Sequence, residues 1–202
     1  MTSQLKRALA SALGGTLSLY ERFCASTSDI SLDMEAQRAL DKSQPTVLVC
    51  WHEESQLLSF VAASLPTPVS CIANDTFGGE LMANAAGRLG VVVHVLKGAD
   101  TRAEKLTHLR EAVALGVPVA IAADYGEPWF KARPTALQVA AATGARLFAV
   151  HVTTPRRWRL GRGAHVLAFP TPWNIYRVVA RHVVAEPTHL NELQSALDGM
   201  TA

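Results

Sequence analysis

The feature that most constrains the fold of this chain is a regular alternation of apolar runs of strand length with segments of helical pattern. Strands are predicted at 46–51, 69–73, 91–96, 119–123 and 146–152, with two final strands at 164–169 and 177–184. Helices are predicted between them at 53–64, 79–89, 102–115 and 134–143, and a short helix closes the chain. Strands that alternate with helices in this way form βαβ crossovers. The pattern therefore predicts an α/β domain with a mainly parallel central sheet flanked by helices.

Length and composition agree with a single domain. We expect residues 1–44 to form an N-terminal helix and a polar connection, and residues 45–202 to form the α/β domain. The chain is 49% hydrophobic and 18% charged, which predicts a sheet covered on both faces or an apolar surface that meets a lipid or a partner. A net charge of +2 gives no support for nucleic-acid binding. Cys24, Cys50 and Cys71 are odd in number and form no CxxC pair, so neither a disulfide framework nor a zinc site is indicated, and Cys50, in an apolar strand, is expected to be a buried thiol in a reducing cytoplasm.

The N-terminal segment is predicted to be an amphipathic helix. Residues 3–25 carry apolar side chains at roughly helical spacing, and a short helix is expected at 33–41. A helix packed on the domain is the favoured interpretation. A helix on a membrane surface stays open, because Lys6, Arg7 and Arg22 lie beside the apolar stripe. No segment reaches the roughly 18 apolar residues of a membrane span, and the N-terminus lacks the features of a signal peptide. We therefore expect a cytoplasmic protein.

Ionisable side chains follow several of the predicted strands. In open α/β sheets, ligands bind beyond the carboxyl ends of the strands, so these residues are the candidates for a functional site. They are Trp51-His52-Glu53-Glu54, Asn74-Asp75, Lys97-Gly98-Ala99-Asp100, Asp124-Tyr125-Gly126-Glu127 and His151. The chain contains no GxSxG, GxGxxG or Walker motif, which argues against an α/β-hydrolase and against nucleotide binding.

His52 is the candidate base on this rim. It follows directly on an apolar strand and opens a helix, where an imidazole can keep a pKa near neutrality and accept a proton from a hydroxyl. A structural histidine at a strand end is the alternative. Glu53 is interpreted as a first-turn acid that complements the helix dipole, and the same interpretation is open for Glu54.

Three further segments are candidates for binding, and two of them have a second interpretation. Lys97 to Arg102 is either a phosphate site at a helix N-terminus or a solvated turn capped by Asp100 or Thr101. The loop 123–134 is expected to bind a ligand, because Trp129 and Phe130 would otherwise expose aromatic area. The basic segment with Arg156, Arg157, Trp158, Arg159 and Arg162 either anchors to anionic lipid headgroups or forms a solvated hairpin connection.

Taken in order, these stretches resemble the lysophospholipid acyltransferase-like superfamily, and most closely a bacterial branch known as the domain of unknown function 374. The resemblance spans about residues 45–185, and the ordered set of motifs is more specific than any one of them. The matching stretches are Trp51-His52, Gly78-Gly79-Glu80, Arg88-Leu89-Gly90, Lys97-Gly98-Ala99-Asp100, Asp124 to Trp129, Arg133-Pro134-Thr135-Ala136-Leu137, Thr143-Gly144-Ala145 and Ala149-Val150.

The resemblance implies an enzyme that transfers a fatty acyl group to a hydroxyl of a lysophospholipid or a related glycolipid. The donor would be a thioester, either acyl-CoA or acyl carrier protein, and no metal or other cofactor is implied. The setting would be the cytoplasm, with peripheral attachment to the inner face of the cytoplasmic membrane. His52 would be the general base. The family has an acid five positions further on, but position 57 is Leu, so Glu54 or Asp124 is expected to replace it.

The resemblance also implies a set of substrate-binding residues. Lys97 corresponds to the arginine that holds the acceptor phosphate, and Glu127 stands where the branch has an arginine. The full set is Trp51, Lys97, Gly98, Asp100, Tyr125, Gly126, Glu127 and Arg133. Two alternatives stay open beside the transferase: a lipid-binding module of the same fold with impaired catalysis, and a hydrolase that releases acyl groups to water.

Overall fold

The computed structural model describes residues 3–40, 44–65, 68–98, 101–124, 128–161 and 166–201. The helices are α1 (Ser3–Ser26), α2 (Met34–Ala39), α3 (Ser55–Ala63), α4 (Phe77–Arg88), α5 (Arg102–Ala114), α6 (Thr135–Thr143) and α7 (Leu190–Thr201). The strands are β1 (Asp29–Leu32), β2 (Thr46–Cys50), β3 (Ser70–Asn74), β4 (Val92–Leu96), β5 (Val119–Ala122), β6 (Arg146–Thr153), β7 (Trp158–Leu160), β8 (Leu167–Phe169) and β9 (Ile175–Val183). Short 3-10 turns cover His52–Glu54 and Pro187–His189.

A seven-stranded sheet in the order β1-β9-β6-β2-β5-β3-β4 forms the centre of the chain. All its neighbouring strands are parallel except β6 and β9, which are antiparallel. Every residue of β2 is buried, because alternate side chains enter the two cores on opposite faces of the sheet. The predicted α/β fold with a mainly parallel sheet is confirmed.

Helices cover both faces of this sheet. Helices α5, α6 and α7 contribute to one apolar core, which includes Leu109, Leu137 and Leu193. Helices α1 to α4 contribute to the other, which includes Phe60 and Tyr176. The resulting three-layer arrangement is what strands with apolar residues on both faces require.

Two strands were not predicted from the sequence. The segment expected to be a polar connection contains β1, which pairs with β9 at the edge of the main sheet, as well as the expected short helix α2. Strand β7 lies in the basic segment and forms a two-stranded hairpin with β8. Both strands have at most four residues and largely exposed or half-buried side chains, so they lack the apolar run that identifies a buried strand.

The predicted N-terminal helix is present and packs against α4, but through its small and polar residues. Ala10, Gly14, Ser18, Glu21 and Cys24 are buried. A Cβ on Gly14 would lie 2.7 Å from the Cβ of an α4 asparagine, so the two helices approach closely at this glycine. The apolar stripe lies on the opposite, solvent-facing side, with exposed Leu5, Leu9, Leu13, Leu19 and Phe23. In the ranges given above, no helix is both long enough and apolar enough to cross a bilayer.

Candidate active site

A cleft of about 330 Å³ opens beyond the carboxyl ends of β2 and β5. This is the edge of the sheet at which ligands bind in open α/β folds. Its described lining consists of His52, Glu53, Asp124, Trp129, Phe130, Arg159 and Val166. The structure thus brings together the candidate base and residues of the predicted binding loop.

His52 reaches the cleft because β2 ends just before it. Trp51 is buried in the core, and its ring contacts the ring of Phe130 edge to face at 5.6 Å between centroids. The chain then forms the 3-10 turn, whose carbonyl at His52 accepts a hydrogen bond from the hydroxyl of Ser55 at 2.8 Å. The half-buried His52 is therefore carried on a turn that is fixed on both sides.

Asp124 is buried beneath the cleft and joins two loops through the main chain. Its Oδ1 accepts a hydrogen bond from the backbone N–H of His52 at 2.7 Å, and its Oδ2 accepts one from the backbone N–H of Phe130 at 3.1 Å. Bonds from two N–H groups offset much of the cost of burying a carboxylate. Asp124 thus positions the backbone at His52, and its action on the imidazole stays a prediction.

Glu54 turns away from the cleft lining into a buried ionic cluster. Its Oε1 lies 2.6 Å from Nδ1 of His151 and 3.4 Å from Nη1 of Arg157. The side chains of Glu54 and His151 are nearly inaccessible to solvent, and Arg157 is largely buried. The sequence placed His151 on the rim but gave no sign that it pairs with Glu54.

A second ion pair lies on the wall of the cleft. Nε of Arg159 donates a hydrogen bond to Oε1 of Glu53 at 2.7 Å, and Arg157 is 3.9 Å from the same carboxylate. The basic segment is therefore a hairpin that is fixed to the turn carrying His52. Arg156 points elsewhere and donates to the carbonyl of Trp173, whereas Arg162 lies outside the described residues.

The aromatic wall of the cleft is held by a residue of the last helix. Phe130 has a φ of 54°, an unfavourable backbone conformation for a bulky side chain, and its ring is half exposed. The amide of Gln194 donates to the carbonyl of Phe130 at 3.0 Å and accepts from the N–H of Ala132 at 2.7 Å. Gln194 belongs to no recognised motif, so the sequence did not indicate its role at the cleft.

Lys97 lies at the end of β4, away from the strand that carries His52. β4 lies three strands from β2, about 14 Å at the usual strand spacing, and Lys97 is not among the lining residues. The N–H of Gly98 donates to Asp75 at 2.8 Å. Thr101 caps α5 in a capping box with Glu104, as one of the two interpretations of this segment expected.

The remaining predicted positions are placed as follows. The backbone N–H of Arg133 donates to the carbonyl of Ala123 at 2.8 Å, which brings the loop back to the end of β5. Leu57, at the position of the expected acid, is fully buried in the core under α3, so its side chain does not face the cleft. Asp100, Tyr125, Gly126 and Glu127 lie outside the described residues.

Metal binding finds no support in the part of the chain that the structure describes. No three side chains of His, Cys, Asp or Glu gather there closely enough to hold an ion. The chemistry of the described cleft is that of one imidazole, two carboxylates, one guanidinium and an aromatic wall.

Sheet order, flanking helices and N-terminal helix define a three-layer α/β fold with a mainly parallel seven-stranded sheet. Among solved structures, the chain is similar to the 1-acyl-sn-glycerophosphate (LPA) acyltransferase PlsC from Thermotoga maritima, with a TM-score of 0.52 and 16% identity over 92% of this chain and 80% of that one. No protein-family model matches the chain, and no curated protein matches its sequence. At this identity the similarity establishes the fold, and the residues of the cleft must carry the argument for function.

Proposed function

We propose that this protein is an O-acyltransferase that moves a fatty acyl group from a thioester to a hydroxyl of a lysophospholipid or a related glycolipid. The observation that carries the proposal is the position of His52, which lines an open cleft at the carboxyl end of the central strand. The similar structure of an LPA acyltransferase supports the reaction class. Membership of the domain of unknown function 374 branch is part of the same proposal and rests on the ordered motifs.

In the proposed reaction His52 acts as general base and then as general acid. Its imidazole takes the proton of the acceptor hydroxyl while the oxygen attacks the thioester carbonyl and forms a tetrahedral intermediate. The C–S bond then breaks, and the leaving thiolate takes the proton back from the imidazolium. The products are an ester and a free thiol, and no redox partner is needed. Asp124 contributes by holding the backbone N–H of His52.

The exposed apolar surface supports an acceptor that is held in a lipid layer. The stripe of α1 continues onto two exposed tryptophans, since Tyr20 stacks on Trp158 and Phe23 contacts Trp173, each at 5.5 Å between centroids. Tryptophan is enriched at membrane interfaces, and an apolar helix face flanked by cations is typical of interfacial helices. Vesicle sedimentation tests this surface. Leu9→Glu should abolish binding, and Leu115→Glu, which changes an exposed leucine beside α5, should leave it intact.

The assay for the proposed activity is acyl transfer by the purified protein, with radiolabelled acyl-CoA or acyl carrier protein and a panel of lysophospholipids. Loss of a general base costs about 100-fold or more in kcat, so His52→Ala should lose at least that much. His108→Ala, which removes an exposed imidazole from α5, is the matched control. Activity that survives His52→Ala would refute the assignment of the base.

Product analysis by mass spectrometry separates the alternatives. A transferase yields the diacyl product, whereas a hydrolase yields free fatty acid from the same thioester. A protein that binds lysophospholipid vesicles and forms neither product would be a binding module, and the proposed reaction would then be wrong.

A further inference from the structure

The described lining of the cleft contains one permanently charged cation, Arg159. We propose that Arg159 binds a phosphate group of the substrate and thereby places the reacting groups beside His52. The position of this phosphate site rests on the proposed function. Its binding chemistry can be tested without catalysis.

The guanidinium of Arg159 has one edge occupied and another open. Nε donates to Glu53, and the two terminal nitrogens make no hydrogen bond or ion pair with any described residue. The side chain is more than half exposed, so these N–H groups can be reached from solvent. A guanidinium presents its donors in a planar arrangement that matches two oxygens of a phosphate. The bond to Glu53 fixes the plane of this group before a ligand arrives.

The alternative cationic position is less suited to an anion. Among the described residues of the turn after β4, two groups that an anion would need are already engaged within the protein. The N–H of Gly98 binds Asp75, and the N-terminus of α5 is capped by Thr101 with Glu104 beside it. A carboxylate in the first turn of a helix takes the place that a phosphate would occupy.

The carboxylates of the cleft leave the open edge of Arg159 available. Asp124 is buried and accepts two backbone hydrogen bonds, so part of its charge is compensated. Glu53 is paired with Arg159 and lies 3.9 Å from Arg157. Glu53 nevertheless remains the nearest negative charge to a bound phosphate, so its neutralisation should strengthen binding.

In the proposed acyl transfer, the phosphate bound by Arg159 can belong to either of two substrates. A lysophospholipid acceptor carries a phosphate next to its glycerol, and a coenzyme A donor carries several. Two soluble probes separate these sources: sn-glycerol 3-phosphate represents the acceptor headgroup, and coenzyme A represents the donor.

Calorimetric titration of each probe into the full chain tests the proposal. Arg159→Gln should weaken the binding of one probe by about tenfold or more, the usual consequence of losing a charge-assisted hydrogen-bond pair. Arg159→Lys keeps the charge but loses the planar arrangement, and should bind with intermediate affinity. Arg38→Gln is the matched control, because Arg38 forms an exposed ion pair with a glutamate on α2. Glu53→Gln should bind as tightly as the wild type or more tightly.

The outcomes decide both the role and the source. If Arg159→Gln weakens the binding of glycerol 3-phosphate but not of coenzyme A, Arg159 binds the acceptor phosphate. If it weakens the binding of coenzyme A but not of glycerol 3-phosphate, Arg159 binds a donor phosphate. Unchanged binding of both probes, no binding by the wild type, or equal losses in Arg159→Gln and Glu53→Gln would overturn the proposal. Arg159 is exposed but its partner Glu53 is largely buried, so a melting curve verifies that each variant folds. If phosphate binding depends on Arg159 but no acyl transfer occurs, the proposed reaction is wrong and the phosphate site stands.

Discussion

Replacing Glu21 by glutamine should stabilise the protein at neutral and alkaline pH. Glu21 lies in α1 and is fully buried between α1 and α3. Its Oε1 accepts a hydrogen bond from Nε2 of Gln56 at 2.5 Å, whereas its Oε2 accepts none from the described residues. Burial raises the pKa of Glu21 to about 7, and the bond from Gln56 opposes this shift only in part.

The direction of the pH dependence follows from this pKa. Because the folded pKa lies above the ordinary value of 4.5, the folded state holds the proton more tightly than the unfolded chain does. Glu21 costs no stability below about pH 4.5, an increasing amount between pH 4.5 and 7, and a constant amount above pH 7. A difference of about 2.5 pKa units corresponds to a full cost of about 3 kcal/mol. Glutamine at position 21 stays neutral and keeps the oxygen that accepts from Gln56.

Urea denaturation measures the free energy of unfolding of both proteins between pH 4.5 and 8. The gain from Glu21→Gln should be near zero at the acid end and should reach about 3 kcal/mol above pH 7. Glu35→Gln, on the exposed side of α2, is the control and should show no such dependence. If the difference in free energy of unfolding between wild type and Glu21→Gln does not change with pH, the argument is refuted. Such a result would mean that folding does not raise the pKa of Glu21.

Three further substitutions test the packing around α1 and the cleft. Gly14→Ala should lower the free energy of unfolding by about 1 to 3 kcal/mol, because its Cβ would collide with α4, while Gly15→Ala, with contacts no closer than 3.5 Å, should be neutral or stabilising; equal effects would contradict the close approach. Gln194→Ala should cost about 1 to 3 kcal/mol and speed amide exchange in the aromatic wall of the cleft, and unchanged exchange would show that this wall holds itself. Glu54→Gln should cost about 1 to 3 kcal/mol in urea denaturation, because it removes a buried carboxylate from beside His151 and the partly buried Arg157, whereas Glu35→Gln should cost less than about 0.5 kcal/mol; similar losses would argue against a buried network.

The central sheet could be predicted because its strands are buried on both faces. Val47, Val49 and Cys50 belong to one uninterrupted apolar run. When helical segments flank such a run, it is typical of a buried parallel strand. The location of His52 followed from the same pattern, since the end of a central parallel strand lies at the ligand-binding edge. Strand β1 has no such run, because its edge position leaves alternate side chains exposed.

The partners of the site residues could not be predicted, because they are brought together by the tertiary fold. Arg159 reaches Glu53 across 106 positions of the chain, and Gln194 reaches Phe130 across 64. No local spacing encodes such a contact. The side of α1 that packs against α4 was hidden for a related reason: periodicity identifies an apolar stripe but does not state what covers it. Here close helix packing at Gly14 selects the face with small residues.

The anchoring of the aromatic wall by α7 has a consequence for the order of events during synthesis. While the ribosome is still making this protein, the described residues that line the cleft are all synthesised before Gln194 has left the exit tunnel. The loop at Phe130 has a strained backbone and lacks its outer support at that stage. A nascent chain therefore lacks the support that Gln194 gives to this wall of the cleft until α7 has docked.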